Sequence, residues 1–179
     1  MADDAAPRHI VFVGAKGTGK TTIGRRVADA LGRAFLDNDE LLEQSVGMTA
    51  AALAKRDGID ALHRMEATTL LGALGADPPA VIAAAASTIE EPAVRSALRE
   101  RAWVAWLRAD PATLVARMPG SSARPFAAAD RARLVAEQAQ RRDVRFAAVA
   151  DAEFRTDLGL PDQVVSAVLA AIRGIETDT

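Results

Sequence analysis

The feature that most constrains this chain is a glycine-rich segment near its start, Gly14-Ala-Lys-Gly-Thr-Gly-Lys-Thr21, which matches G-x-x-x-x-G-K followed by Ser or Thr in full. The apolar run HIVFV before it is typical of a buried strand. Residues 21–31, after it, space their apolar side chains as an amphipathic helix does. A strand, a glycine-rich loop and a helix in this order form a phosphate site, because inward-turned N–H groups and the helix start surround an anion. The sequence therefore predicts a nucleotide-binding loop.

Within this loop, Lys20 can reach the β and γ phosphates, and Thr21 can place its hydroxyl on Mg²⁺. The expected nucleotide contacts are Gly14, Gly17, Thr18, Gly19, Lys20, Thr21 and Thr22. The loop alone does not distinguish a kinase from a GTPase or an ATP-driven machine. Asn38, the single Asn of the chain, lies too close to the second predicted strand to read guanine. The apolar run at 80–85 lacks the terminal Asp of a mechanical ATPase, so a small transferase is the remaining class.

Strands alternate with helices along the rest of the chain. Further apolar runs predict strands at 34–37, 80–85, 102–107 and 152–156. This alternation favours an α/β fold with a parallel sheet and helices on both faces. We expect one domain over residues 8–179, preceded by a disordered tail at 1–7. Residues 119–129 lack periodicity and are predicted to form a mobile loop, followed by a helix at 130–148.

Composition excludes several classes of function. The chain of 179 residues has 22 Lys and Arg against 24 Asp and Glu, and this balance argues against a nucleic-acid partner. The absence of Cys excludes disulfides and thiolate metal sites. No apolar run reaches the length of a membrane helix, and the acidic start lacks a signal-peptide core. We therefore expect a cytoplasmic monomer whose partner is a small molecule.

Three motifs, in order, carry a resemblance to a known family. They are the loop and helix at 14–31, the acidic segment Asp37-Asn38-Asp39, and Arg124-Pro125 in the predicted loop. Over nearly its whole length the chain resembles shikimate kinases. This resemblance implies a three-layer P-loop kinase fold with a five-stranded parallel sheet in the order 2-3-1-4-5. It also implies ATP and Mg²⁺ as cofactors, and phosphoryl transfer to a hydroxyl of shikimate or of a related hydroxylated acid or polyol.

The same resemblance assigns catalytic and metal-binding roles. Asp37 would help to hold Mg²⁺ together with Thr21. Asp39 would bind the acceptor hydroxyl and take part in catalysis with Lys20. Arg124 would close from a lid at about residues 119–129 onto the phosphate that is transferred.

Further residues are assigned to the nucleotide base and to the acceptor. Arg117 would stack on adenine, with Pro161 near the same pocket. Arg142 corresponds to an arginine that binds the substrate carboxylate. His63 stands where the family has its other carboxylate-binding arginine, and Ala85-Ala86-Ser87 replaces a glycine triplet that approaches the substrate.

These departures lie on the acceptor side and leave two alternatives open. The first is a kinase-like nucleotide-binding protein that has lost shikimate kinase activity and has a regulatory or interaction role. The second is a kinase for a different polyol, sugar acid or nucleoside. Glu66, at the end of a family segment that begins at Gly58, is either a site residue or a solvated helix acid.

Overall fold

The apolar run at the start of the chain becomes the centre of a parallel sheet. The computed structural model describes residues 8–117 and 125–177. The strands in these ranges are β1 His9–Val13, β2 Phe35–Asp37, β3 Val81–Ala83, β4 Ala102–Arg108 and β5 Ala152–Arg155. They pair in parallel in the order β2-β3-β1-β4-β5, which confirms the predicted sheet.

Helices cover both faces of this sheet. They are α1 Lys20–Leu31, α2 Asn38–Val46, α3 Ala50–Asp57, α4 Ile59–Ala73, α5 Pro92–Arg101, α6 Pro111–Arg117, α7 Pro125–Ala147 and α8 Pro161–Thr177. Val11 and Val13 of β1 pack into a core with α4, α5 and α7, and Ile10 and Phe12 pack into a second core with α1 and α8. Because both faces are covered, all five β1 residues are buried. The three-layer α/β fold is confirmed.

In the two ranges that the structure describes, none of the helices combines the length and the apolar character needed to span a lipid bilayer.

Helix α7 begins earlier than the sequence predicted. We expected a helix from residue 130, but α7 begins at Pro125, so the loop prediction was wrong for residues 125–129. Proline is favourable at the first helical position, and the alanines that follow are the strongest helix formers. The rest of the predicted loop at 119–124 and the predicted tail at 1–7 lie outside the described residues.

The third strand is shorter than predicted, Val81–Ala83 rather than 80–85. The chain then leaves the sheet and forms a 3-10 turn at Ala86–Glu90, which packs against α4 and α7. This turn places Ser87 and Glu90 beyond the carboxyl end of β3. In parallel α/β sheets, ligands bind at that edge.

Gly24 allows α1 to lie close to the sheet. A β-carbon added at this position would lie 2.8 Å from the ring of Phe35 and 3.2 Å from the ring of Phe12. Both rings belong to the core between α1 and the sheet. Close packing therefore explains a glycine inside a helix, where its intrinsic propensity is low.

We expect Gly24→Ala to lower the free energy of unfolding by about 1–3 kcal/mol, because the two rings must move to admit a methyl group. Gly72→Ala is the matched control: Gly72 lies in an exposed part of α4, and an added β-carbon would have nothing within 4 Å. The control should raise the free energy of unfolding by about 0.5–1 kcal/mol through helix propensity alone. Urea denaturation measures both, and a stabilised Gly24→Ala variant would contradict the packing argument.

Candidate active site

The loop between β1 and α1 has the backbone shape that phosphate binding requires. Gly14, Gly17 and Gly19 have φ angles of +139°, +88° and +90°, a region that favours glycine. A β-carbon on Gly14 would lie 2.2 Å from the carbonyl oxygen of Leu107, near the end of β4. Gly14 therefore sets the close packing of the loop on the sheet, while Gly17 and Gly19 line the cleft above it.

Lys20 begins α1 and folds its side chain over the loop. Its Nζ donates hydrogen bonds to the carbonyl oxygens of Gly14, at 2.8 Å, and Ala15, at 3.0 Å. Burial lowers the pKa of Lys20 to about 8, while the carboxylates of Asp39 and Asp37 oppose this shift. The loop thus holds a cation whose charge changes in the mildly alkaline range.

Thr21, Asp37 and Asp39 form a hydrogen-bonded group where β2 ends. Thr21 Oγ1 donates to Asp37 Oδ2 at 2.7 Å, and the backbone N–H of Asp39 donates to Asp37 Oδ1 at 2.9 Å, which caps α2. Burial raises the pKa of the Asp39 carboxyl; Asp37 adds to this and Lys20 opposes it. The Thr21 hydroxyl and the Asp37 carboxyl are hard oxygen ligands of the kind that Mg²⁺ prefers, so these two residues fit the predicted metal.

Arg117, at the end of α6, connects the loop with the end of β5. Its Nη1 donates to Gly17 O at 3.2 Å and to Thr156 Oγ1 at 3.1 Å, and its Nη2 donates to Thr156 O at 2.8 Å. A guanidinium fixed in this way offers a face on which an aromatic base can stack. Thr156 was missed by sequence analysis, because it belongs to no motif and only the fold brings it beside Arg117.

The wall of the cleft formed by α4, α7 and the 3-10 turn after β3, here called the acceptor side, contains a buried acid. Ser87 Oγ donates a hydrogen bond to Glu66 Oε2, and both residues are buried. Burial raises the pKa of Glu66, against the effect of the Ser87 hydrogen bond. His63, on the same helix, lines the cleft, whereas Arg64 is exposed and does not. Arg64 therefore does not replace the arginine that the family has at position 63.

Arg142 of α7 lies on the same side and already has a partner. Its Nε donates to Glu90 Oε1 at 2.7 Å, and its side chain is only 16 % exposed. The two residues are 52 positions apart in the chain, so sequence analysis could not pair them.

A cleft of about 860 Å³ joins these groups. The predicted site residues that line it are Gly17, Thr18, Gly19, Lys20, Thr21, Thr22, Asp37, Asp39, His63, Arg117, Arg142 and Pro161. It is also lined by Glu66, Ser87 and Thr156, which the predicted set lacks. Arg124 lies outside the described residues. Pockets that enclose small ligands measure roughly 300–1,000 Å³, so the cleft has the size of a ligand site.

A glycine-rich phosphate loop at the centre of a 2-3-1-4-5 parallel sheet, with a cleft at the carboxyl edge, defines the class of P-loop kinases. The family model for shikimate kinase matches residues 16–173. The chain belongs to the shikimate kinase family, which confirms the resemblance carried by its motifs.

Individual relatives agree with this assignment. The shikimate kinase of Mycobacterium tuberculosis is 34 % identical over 91 % of this chain and 92 % of its own. That of Symbiobacterium thermophilum is 39 % identical over 63 % of this chain, and the match spans 64 % of that relative's length. The solved shikimate kinase from Acinetobacter baumannii in complex with shikimate has a TM-score of 0.84 and 25 % identity, over 93 % of both chains. None of these comparisons supports the alternative of a protein that has lost transfer activity.

We expect the affinity for ATP to fall as the pH rises above about 8, the pKa of Lys20, because only the protonated amine attracts phosphate. The dissociation constant should rise by about tenfold per pH unit in that range. Calorimetric titrations between pH 7 and 9.5 measure this. Lys55→Ala, which removes an exposed lysine outside the cleft, should keep this pH dependence of ATP affinity, whereas the affinity of Lys20→Ala should not change with pH. An equal fall in the affinity of Lys20→Ala would rule out Lys20 as the source of the pH dependence.

Proposed function

We propose that this chain transfers the terminal phosphoryl group of Mg·ATP to a hydroxyl of a small hydroxylated acceptor, shikimate or a related hydroxylated acid or polyol. The observation that carries the proposal is that Lys20 of the phosphate loop, Asp39 after β2 and Arg142 of α7 line one and the same cleft. Membership of the shikimate kinase family supports shikimate as the first acceptor to test, as does the Acinetobacter baumannii relative solved in complex with it.

In this proposal the phosphate loop and its neighbours hold the nucleotide. The inward N–H groups of residues 17–21 and the Nζ of Lys20 bind phosphate oxygens. Arg117 and Pro161 contact adenine. Thr21 and Asp37 hold Mg²⁺, whose charge offsets the negative charge of the phosphates during transfer.

The acceptor hydroxyl lies against Asp39 in this proposal. Its carboxylate accepts a hydrogen bond from the hydroxyl and points the oxygen at the phosphate. Phosphoryl transfer depends mainly on such positioning and on charge neutralisation, so a modest basicity of Asp39 is sufficient. His63 and Arg142 contact the rest of the acceptor, Arg142 through a carboxylate if the acceptor has one. Arg124 is proposed to close on the transferring phosphate.

The direct test is release of ADP from Mg·ATP with and without shikimate. We expect shikimate to stimulate turnover, and Lys20→Ala to reduce the stimulated rate by about 100-fold or more, because it removes a cation aimed at the phosphates. Lys55→Ala removes the same charge from an exposed residue that does not line the cleft and should retain the rate of the parent protein. ATP binding without stimulation by shikimate, or by a panel of related acids and polyols, would contradict the proposal.

At position 63 this chain has a histidine where the family has an arginine. His63→Arg restores a guanidinium fork on the wall of the cleft, so we expect KM for shikimate to fall by about tenfold while KM for ATP stays unchanged. The control is Arg64→Ala, which removes an exposed arginine that does not line the cleft and should change neither constant. If Arg64→Ala raised KM for shikimate, the adjacent arginine and not position 63 would face the acceptor.

A further inference from the structure

Arg142, which lines the cleft, forms an ion pair with Glu90, an exposed residue of the 3-10 turn that does not itself line the cleft. Arg142 Nε and Glu90 Oε1 are 2.7 Å apart, a short charge-assisted hydrogen bond. The arginine side chain is 16 % exposed and the glutamate side chain 47 % exposed. Because the guanidinium is largely shielded from water, salt screens its charge only weakly, and Glu90 remains its nearest counter-ion.

The surroundings of Arg142 increase the importance of this pair. Among the described residues of α4, α7 and the 3-10 turn that line the cleft, Arg142 is the one Arg or Lys, and Glu66 is an acid. His63 lies on the wall where a second arginine would add to the positive charge. Because Glu90 offsets the charge of Arg142, this wall of the cleft attracts an acidic acceptor less strongly than an unpaired arginine would.

The geometry of the pair also removes one way to bind a carboxylate. An arginine binds a carboxylate with two parallel hydrogen bonds, either from Nε and one Nη or from both Nη atoms. Glu90 occupies Nε, so the first arrangement is blocked while the pair is intact. An acceptor carboxylate must displace Glu90 or bind the remaining edge of a guanidinium whose charge is already neutralised.

We propose that Glu90 is a specificity-determining residue, which occupies Arg142 as an internal counter-ion and shifts acceptor preference from carboxylated acceptors toward uncharged polyols. The inference rests on the proposed function, because that function is what places an acceptor beside Arg142. Glu90 is the last residue of the turn Ala86–Glu90, which follows the third strand. The fold therefore sets the position of its backbone.

The test compares shikimate with its uncharged methyl ester as acceptors. Glu90→Gln keeps an oxygen that can accept the Arg142 hydrogen bond but removes the negative charge. We expect kcat/KM for shikimate to rise by about tenfold, mainly through KM, and kcat/KM for methyl shikimate to stay within about twofold. Glu91→Gln is the matched control, since it removes the same charge from the adjacent exposed residue, which has no ion pair among the described residues.

Three outcomes decide the inference. A rise for shikimate alone, absent in Glu91→Gln, supports it. Equal changes for both acceptors, or the same change in Glu91→Gln, overturn it and indicate a general effect of charge at the cleft. If neither the parent protein nor a variant turns over either compound, shikimate fails as the acceptor in the proposed function. Direct titration of both compounds in the presence of Mg·ADP then decides the inference separately, since shikimate alone should bind more tightly to Glu90→Gln.

Discussion

The close approach of the backbone at the end of β1 is the constraint on which the rest of this structure depends. Gly14 lies so near the carbonyl oxygen of Leu107 that no side chain fits there. That contact packs the start of the phosphate loop against the end of β4, the strand next to β1, and α1 follows directly after the loop. Since Lys20 is the first residue of α1, its ammonium group lies over the loop for the same reason. A backbone contact thus fixes the position of the chemical group on which the proposed reaction most depends.

Several candidate ligand-binding groups in the cleft have partners within the protein. These pairs are Lys20 with two loop carbonyls, Thr21 with Asp37, Arg117 with Thr156, and Arg142 with Glu90. The internal contacts hold the side chains close to their working positions, which lowers the entropy lost when a ligand binds. They also reduce the net gain, because a ligand must replace a hydrogen bond that already exists. A ligand that binds to these groups therefore exchanges an internal hydrogen bond for its own. The net free energy gained at each group depends on the strength of the internal hydrogen bond that is lost.

Sequence analysis predicted the parts of the molecule that depend on local patterns. The loop motif, the buried β1 run and the alternation of strands and helices are each contained in a short segment, and the sheet order followed from the family resemblance. The sequence did not predict features that depend on contacts between distant segments. These are the buried Glu66–Ser87 pair, Thr156 beside Arg117, and Glu90 beside Arg142. The early start of α7 was missed for another reason, since the Gly, Ser and Pro residues before it obscured a proline that suits a helix start.

The two ends of the cleft differ in what holds them in place. The phosphate end is built from backbone, with glycines at positive φ, so a substitution there disturbs the loop itself. The acceptor end is built from side chains on α4, α7 and the 3-10 turn after β3, and these can change without altering the sheet. His63 and the Ala85-Ala86-Ser87 segment depart from the family pattern at that end, yet the fold is retained. Fold similarity therefore constrains the nucleotide side of this protein more tightly than its acceptor side, and the role proposed for the Arg142–Glu90 pair concerns that less constrained side.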